Sequence, residues 1–331
     1  MDGHFIDLTP ENLAGEHLCC IIRSKKPHPG VEEKRRWLAE RLREGHVFRK
    51  LDEKGTVFIE YAPLETAWVP VVGDNYLYIY CLWVTGPHKG KGYGRALLES
   101  CLADARAEGK SGVCMLGAEK QKAWLSDQSF ARKFGLTVAD TTETGYELLA
   151  LSLDGTLPRF TPGAKRGIID SQELTIYYDM QCPFIHQCVE KIAAFCEAGG
   201  IPLSLVRVDS LAQAKALPCP FNNFAVFYRG QFQTVNLLDE AAVRRILERH
   251  PYDAAGMIFR LAWLAGLMRN EIVSLRWGAV NFLNQEIELP DRSVPLCPEL
   301  EQYLARISER MDWGSDYVLL SDRLHKPMQP Q

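Results

Sequence analysis

Apolar runs and helical periods alternate along the first 150 residues of the chain. Short runs rich in β-branched and aromatic residues predict strands at positions 57–61, 76–84 and 112–117. Three- and four-residue spacing of apolar positions predicts a charged amphipathic helix over 31–44 and a second helix from residue 93. The inner face of that second helix is predicted to contain Leu97, Leu98, Cys101, Leu102 and Ala105. This order of elements predicts an α/β fold.

A glycine-rich loop separates the strand at 76–84 from the helix that follows it. Gly90, Gly92 and Gly94 place no Cβ over the loop, so backbone N–H groups at the helix start can close on an anion such as a pyrophosphate. The P-loop pattern is absent, because Lys91 is followed by glycine rather than Ser or Thr. The spacing does not fit the dinucleotide fingerprint either. A glycine turn without a ligand is the remaining alternative.

The loop resembles the acetyl-CoA loop of the GNAT N-acetyltransferases. In that family the motif is Gln or Arg, two residues, Gly, one residue, then Gly or Ala, and this chain matches it at Lys89, Gly92 and Gly94, with Lys in the first position. The resemblance implies an α+β domain with a splayed mixed sheet. It also implies acetyl-CoA as acyl donor, bound by Leu82, Trp83, Val84, Lys89, Gly90, Lys91, Gly92, Tyr93, Gly94 and Arg95.

The catalytic residues that the resemblance implies are not the usual ones. The position of the general base, often Glu in the family, is occupied by Tyr78, and the position of the general-acid Tyr is occupied by Ala131. Glu60, Tyr78 and Cys81 are the candidate catalytic residues. The other available substitutes are Tyr80, Cys114, Asp127 and a water chain to solvent. Glu60 is the favoured base, and its alternative interpretation is a solvated carboxylate at a sheet edge.

The chain resembles, more narrowly, a GNAT subgroup that carries a C-terminal thioredoxin-like domain. The residues that carry this resemblance include 16–20, 57–61, 82–84, 125–127 and 138–140. Proline and glycine residues predict a linker at 154–167. The resulting domains are a GNAT domain at 1–155 and a thioredoxin-like domain at 168–250.

Cys182 is a possible reactive thiol, because it opens a predicted helix. Ile185 occupies the place of a resolving cysteine, and Cys188 lies on another helix face. These features disfavour a dithiol oxidoreductase. A structural or substrate-presenting module and a monothiol function both stay open.

Residues 251–331 resemble a truncated tyrosine recombinase, at 258–272, 275–277 and 292–296. The first catalytic Arg of that family aligns with Met268, and acidic residues outnumber basic ones in the segment. A small, mainly helical and non-catalytic segment is expected. A fusion relic, a truncation and a helical packing module are the alternatives.

Composition narrows the choice of location and partners. The chain has 331 residues, 47% of them hydrophobic, and a net charge of −4, which argues against a generic nucleic-acid binder. No apolar run approaches the roughly 20 residues that a bilayer requires, and no signal peptide is recognisable. The ten cysteines then indicate reduced thiols in the cytoplasm, and none has zinc-ligand spacing, so no metal is expected.

The sequence therefore predicts an N-acetyltransferase. It would transfer an acetyl group from acetyl-CoA to a primary amine, on a small molecule or a peptide, by direct attack in a ternary complex. The alternative is a non-catalytic acyl-CoA-binding protein or a monothiol thioredoxin-like protein. The oligomeric state is left open.

Overall fold

A computed structural model of the chain describes residues 4–18, 21, 28–249, 254–308 and 315–320. The chain forms two compact units, Met1–Glu240 and Ala241–Gln331. Cys19 and Cys20, part of the predicted subgroup pattern, lie outside the described residues. The helices and strands are, in chain order, β1 (Phe5–Asp7), α1 (Pro29–Arg41), β2 (Val47–Leu51), β3 (Val57–Pro63), β4 (Val71–Val72), β5 (Tyr76–Val84), α2 (Tyr93–Ala107), β6 (Gly112–Ala118), α3 (Gln128–Lys133), β7 (Thr137–Thr141), β8 (Tyr146–Ser152), β9 (Arg159–Phe160), α4 (Pro162–Arg166), β10 (Leu174–Tyr178), α5 (Pro183–Ala198), β11 (Leu203–Arg207), α6 (Leu211–Lys215), β12 (Phe224–Tyr228), β13 (Gln231–Thr234), α7 (Glu240–Arg249), α8 (Ala254–Ala265), α9 (Arg269–Ser274), β14 (Val280–Asn281), β15 (Glu286–Glu288), β16 (Ser293–Pro295) and α10 (Pro298–Ser308).

A seven-stranded mixed sheet dominates the first unit. Its order is β1-β2-β3-β5-β6-β8-β7, with β5 and β6 parallel and the other neighbours antiparallel. Helix α2 buries the apolar face that the sequence predicts against one side of this sheet. The predicted strands are present as β3, β5 and β6, and the mixed α/β fold is confirmed.

The two central parallel strands separate part-way along their length. Tyr76, Leu77 and Tyr78 pair with Gly112, Val113 and Cys114, whereas both strands continue beyond those pairs, to Val84 and Ala118. The edge of β5 from Ile79 onward therefore lies beyond the last residue pair that it forms with β6. This opening is the splay that the sequence resemblance implies.

A second sheet, β11-β10-β12-β13, follows within the same unit. Helix α5 connects the parallel strands β10 and β11, and β12 and β13 are antiparallel to their neighbours. Helix α5 packs on α1. Their approach requires glycine at position 30, because a Cβ there would lie 1.9 Å from the carbonyl oxygen of Pro183. This packing positions the start of α5 near the first sheet.

The predicted linker at 154–167 is wrong, because this segment is part of the packed structure. Strand β9 pairs with β4, and helix α4 follows it directly. Phe160 and Ala164 are only 1% and 0% exposed and belong to the core around Tyr78. Two buried residues among prolines and glycines give too little periodicity to be recognised from sequence. The predicted three-domain division stays a prediction.

The second unit combines helices with a small three-stranded sheet, β14-β15-β16. Its core includes Leu261, Ile272, Ile287 and Leu304. Met268, aligned with the recombinase arginine, precedes α9 and is 64% exposed. No helix among the described residues is long and apolar enough to span a membrane.

We expect the second unit to give the chain little affinity for DNA. Arg292 is held by two hydrogen bonds to the carboxylate of Glu271, at 2.5 and 3.0 Å, which offsets its charge for phosphate binding. Fluorescence anisotropy with duplex DNA should show no salt-sensitive complex at micromolar protein, because few counterions would be released. A tight complex that weakens steeply with salt would contradict this prediction.

Candidate functional site

The glycine loop ends as the N-terminus of α2. Gly90 and Gly92 adopt positive φ angles of 76° and 78°, a region that L side chains rarely enter, and Gly92 is the N-cap residue. The N–H groups of Tyr93, Gly94 and Arg95 lie in the first helical turn, where no intrahelical acceptor exists for them. The loop therefore presents backbone donors and the positive end of a helix dipole to one place.

A cavity of about 880 Å³ lies over this loop, and we call it the loop cavity. Lys89, Arg95 and Lys122 contribute cations to its lining. Of the predicted acetyl-CoA residues, Lys91 alone is outside the lining. Those that line the cavity are Leu82, Trp83, Val84, Lys89, Gly90, Gly92, Tyr93, Gly94 and Arg95.

A β-bulge at Tyr80 determines which side chains of β5 face each side of the sheet. Glu60 pairs with Cys81, but Tyr61 pairs with Ile79, so Tyr80 is an extra residue in β5. Tyr80 and Cys81 consequently both contact the core opposite α2, and Leu82 returns to the α2 side. A strict two-residue alternation would have placed Cys81 on the α2 side.

Polar side chains occupy the exposed edge of β5 within the splay. The N–H of Leu82 donates to the Ser126 hydroxyl over 3.1 Å. The carbonyl of Tyr80 accepts from the Asn222 amide over 3.1 Å. By strand alternation the backbone of Val84 faces the same opening. The edge can thus pair with an extended ligand once Ser126 releases Leu82.

A second cavity of about 450 Å³ lies on the other side of Trp83, and we call it the inner cavity. Trp83, Ala123 and Leu125 line both cavities, so the two adjoin at the splay. Aromatic rings form much of the inner wall, namely Phe58, Tyr80, Trp83, Trp124 and Phe184. Gln181 and Cys182, which precede α5, and Asn222 and Asn223, which precede β12, also line this cavity.

A buried group of charged residues lies beneath the inner cavity, centred on Glu60. The Glu60 carboxylate, 0% exposed, accepts hydrogen bonds from Lys34 Nζ at 2.7 Å, Gln181 Nε2 at 2.8 Å and His46 Nε2 at 3.0 Å. Burial by itself raises the pKa of Glu60, but Lys34 and His46 outweigh it and the pKa lies below its usual value. Burial lowers the pKa of His46, which is therefore neutral at pH 7. Glu60 is a charged, enclosed group rather than a solvated edge carboxylate.

Asp179 is a second buried carboxyl group near this cluster. Burial raises its pKa to about 8, partly offset by the N–H of Gln181, which donates to Oδ1 over 2.8 Å. Its Oδ2 atom is buried and makes no hydrogen bond to the described residues. Asp179 is therefore largely protonated at neutral pH.

The other candidates differ in their access to the inner cavity. Tyr78 is fully buried, donates its hydroxyl hydrogen bond to Asn222 over 3.0 Å, and has a pKa well above its usual value because of burial. Cys81 and Cys182 are partly exposed and both line the cavity. Cys182 is the N-cap residue of α5, a 16-residue helix, as the sequence predicts.

Sequence reasoning missed Lys34, Gln181, Ser126 and Asn222. The helical spacing of Lys34 could have indicated its burial, because Lys34 lies three, four and seven residues before Trp37, Leu38 and Arg41 on the buried face of α1. The burial of Glu60, a residue already named as the favoured base, also had a signal, because Glu60 alternates with the buried residues Phe58 and Ala62 along β3. Gln181, Ser126 and Asn222 lie in loops, where no periodicity marks them.

Comparison with known proteins identifies the family of the chain. The sequence profile described as the acetyltransferase (GNAT) family matches residues 15–135, and the profile described as YoaP-like matches residues 202–244. The chain is 35% identical over 245 residues to the uncharacterized N-acetyltransferase YoaP of Bacillus subtilis strain 168, covering 73% of this chain and 98% of that protein. The chain belongs to the GNAT family of acetyltransferases. An acetyl-CoA-dependent N-acetyltransferase is thereby confirmed, whereas the thioredoxin-like and recombinase-like assignments stay predictions.

Solved structures of acetyltransferases are also similar to this chain. An acetyltransferase from Brucella melitensis in complex with acetyl-CoA is 17% identical, covers 48% of this chain and 92% of its own, and has a TM-score of 0.33. The ribosomal-protein-S18-alanine N-acetyltransferase of Escherichia coli is 15% identical and has a TM-score of 0.33, and the match covers 46% of this chain and 96% of that protein.

We expect Asp179→Asn to stabilise the protein, and increasingly so as pH rises from about 4 to 8. The folded pKa of about 8 exceeds the unfolded value of about 3.9, so the native state holds a proton that the unfolded state releases, and wild-type stability falls across this window. Asparagine removes that penalty, worth about 2 kcal/mol or more at pH 8. Urea unfolding at pH 5 and 8 measures it, with the exposed Asp209→Asn as control. An equal effect at both pH values would contradict the prediction.

Iodoacetamide should label Cys182 at pH 7 faster than the other nine cysteines. A helix N-terminus stabilises nearby negative charge, and Cys182 is partly exposed at the N-terminus of α5. Cys101, Cys114 and Cys219 are buried, which raises the pKa of each thiol. Peptide mass spectrometry over a time course locates the adduct, and Cys182→Ser provides the control. Labelling of Cys182 as slow as that of Cys114 would support a purely structural role.

Proposed function

We propose that the protein transfers an acetyl group from acetyl-CoA in the loop cavity to a primary amine in the inner cavity, by direct attack in a ternary complex. The observation that carries this proposal is that the two cavities adjoin at Trp83, where β5 and β6 separate. A donor and an acceptor bound in them would meet there. No covalent enzyme intermediate is needed.

The acetyl-CoA pyrophosphate binds the N–H groups of the glycine loop, and Lys89 and Arg95, which line the loop cavity, supply positive charge. Lys91 lies outside the lining and contributes positive charge from a greater distance. The pantetheine arm pairs with the β5 edge at Leu82 to Val84, as an added strand pairs with a sheet. Among the described contacts, the N–H of Leu82 is the one donor on this edge that is already bonded to a side chain, because it donates to the Ser126 hydroxyl.

The neutral amine nitrogen attacks the thioester carbonyl carbon, the C–S bond breaks, and CoA leaves as the thiolate. The proton that the attacking nitrogen then loses passes to this thiolate or to water. The ammonium must first lose a proton. Tyr78 and Glu60 are enclosed, and Cys81 is the candidate catalytic residue with partial access to the inner cavity. We assign Glu60 to hold Lys34 and Gln181 in place, and we assign proton loss to water, aided by the apolar walls that lower the pKa of a bound amine.

The segment at 168–250 acts as a structural and substrate-presenting module with a thioredoxin-like fold. Its support is the strand order β11-β10-β12-β13 and the contribution of Gln181, Phe184 and Asn222 to the inner cavity. A dithiol reaction is disfavoured, since Cys188 is buried and donates to the Leu238 carbonyl over 3.3 Å. A monothiol role of Cys182 is the second candidate, favoured by its partial exposure in the cavity. A cytoplasmic location stays a prediction.

Calorimetric titration with acetyl-CoA tests the donor site. Wild type should bind, and Gly92→Glu should lose detectable binding, because it places bulk and negative charge at the pyrophosphate. Gly92→Ala is the matched control, because it carries the same backbone strain at φ 78° without the charge. Arg106→Glu, an exposed charge reversal in the last turn of α2, should bind like wild type. Equal affinity of wild type and Gly92→Glu would overturn the donor site.

A further inference from the structure

The charge balance of the inner cavity is unusual for a site that binds a cation. Among the described residues that line it, Lys34 and Glu60 carry charge, and they pair with each other at 2.7 Å. A polyamine would bring several ammonium groups into this cavity, and the one carboxylate that lines it is already paired with Lys34. Unpaired charge in a desolvated site is costly.

The polar groups of the floor are also largely committed to one another. Gln181 donates to Glu60, and Asn223 donates to Gln181 over 2.7 Å. Asn222 accepts from Tyr78 and donates to Tyr80. A carboxylate has about four acceptor positions, and three hydrogen bonds to Glu60 are present. Little hydrogen-bonding capacity is therefore left for an acetyl-accepting substrate that carries many N–H or O–H groups.

The walls, in contrast, offer large apolar and aromatic surfaces. Phe58, Trp83, Trp124 and Phe184 supply rings, and Trp124 meets Phe184 edge to face with centroids 5.9 Å apart. Rings of this kind bind an apolar body by stacking and a single ammonium by cation–π attraction. Trp124 is 45% exposed, so its ring is available to an incoming ligand.

We infer that the acceptor is a primary monoamine carried on an apolar, preferably aromatic, body. This inference rests on the proposed function, because it names the substrate class of the same site. The apolar body fills the inner cavity, and its amine nitrogen lies toward the splay beside Trp83. The walls select against acceptors with a second positive charge.

Acetylation kinetics with matched amines test the substrate class. The probes are 2-phenylethylamine and hexylamine as monoamines, and 1,5-diaminopentane and spermidine as polyamines. We expect kcat/KM for 2-phenylethylamine to exceed that for either polyamine at least tenfold. Trp124→Ala should lower it about tenfold or more for 2-phenylethylamine, and Leu157→Ala, an exposed apolar residue outside both cavities, should leave it unchanged.

A charge variant gives the test a gain-of-function arm. Trp124→Glu adds a carboxylate to the wall of the inner cavity. The ratio of kcat/KM for 1,5-diaminopentane to kcat/KM for 2-phenylethylamine should then rise at least tenfold. Saturating 2-phenylethylamine should also slow iodoacetamide labelling of Cys182, which lines the same cavity, whereas spermidine should not.

The possible failures are distinguishable. If the polyamines are the better acceptors and also protect Cys182, the substrate class is wrong and the proposed function stands. If acetyl-CoA binds but no amine of either kind is acetylated, the proposed function itself fails and this inference fails with it.

Discussion

The separation of β5 from β6 after Tyr78 and Cys114 is the constraint on which the site depends. A strand that leaves its neighbour exposes N–H and C=O groups, and burying such groups without partners is costly. Ser126 and Asn222 supply partners at Leu82 and Tyr80, so the splay persists without a neighbouring strand. The same edge is then a template for an extended, amide-bearing donor.

The bulge at Tyr80 converts this opening into two cavities of different character. One extra residue in β5 turns Cys81 and Trp83 away from α2, so the loop cavity and the inner cavity share Trp83 as a wall. Backbone donors and cations then lie on one side, and aromatic surface lies on the other. Trp83, Ala123 and Leu125 thus line both cavities and separate them.

The buried pair of Lys34 and Glu60 connects the two halves of the first unit. Lys34 Nζ also donates to the Gln181 carbonyl over 2.6 Å, so α1, β3 and the loop before α5 share one group of hydrogen bonds. Removing one partner of a buried pair costs about 3–5 kcal/mol, because the other charge is left uncompensated. The C-terminal half of the first unit is therefore part of the wall of the inner cavity.

Local patterns predicted the strands, α2 and the glycine loop, because each carries its own periodicity or turn chemistry. The bulge could not be predicted, since the run from Tyr76 to Val84 is apolar on both faces and shows no break at Tyr80. The linker was misjudged because Phe160 and Ala164 are buried by residues distant in sequence. The partners of Glu60 come from positions 34, 46 and 181, and no local pattern specifies such contacts.

The enclosed position of Glu60 limits how the amine can be activated. A primary amine with a pKa near that of lysine, about 10.4, is almost wholly protonated at pH 7. An apolar site that lowers this pKa by about 2 units increases the free amine roughly 100-fold, which is comparable to the contribution of a general base. Desolvation also weakens binding of the ammonium form, so the gain is realised when other contacts offset that loss. Burial of an apolar body against Trp83, Trp124 and Phe184 supplies such contacts, at about 25 cal/mol per Å² of apolar surface. The enclosure of Glu60 and the aromatic walls of the inner cavity are thus two consequences of one arrangement.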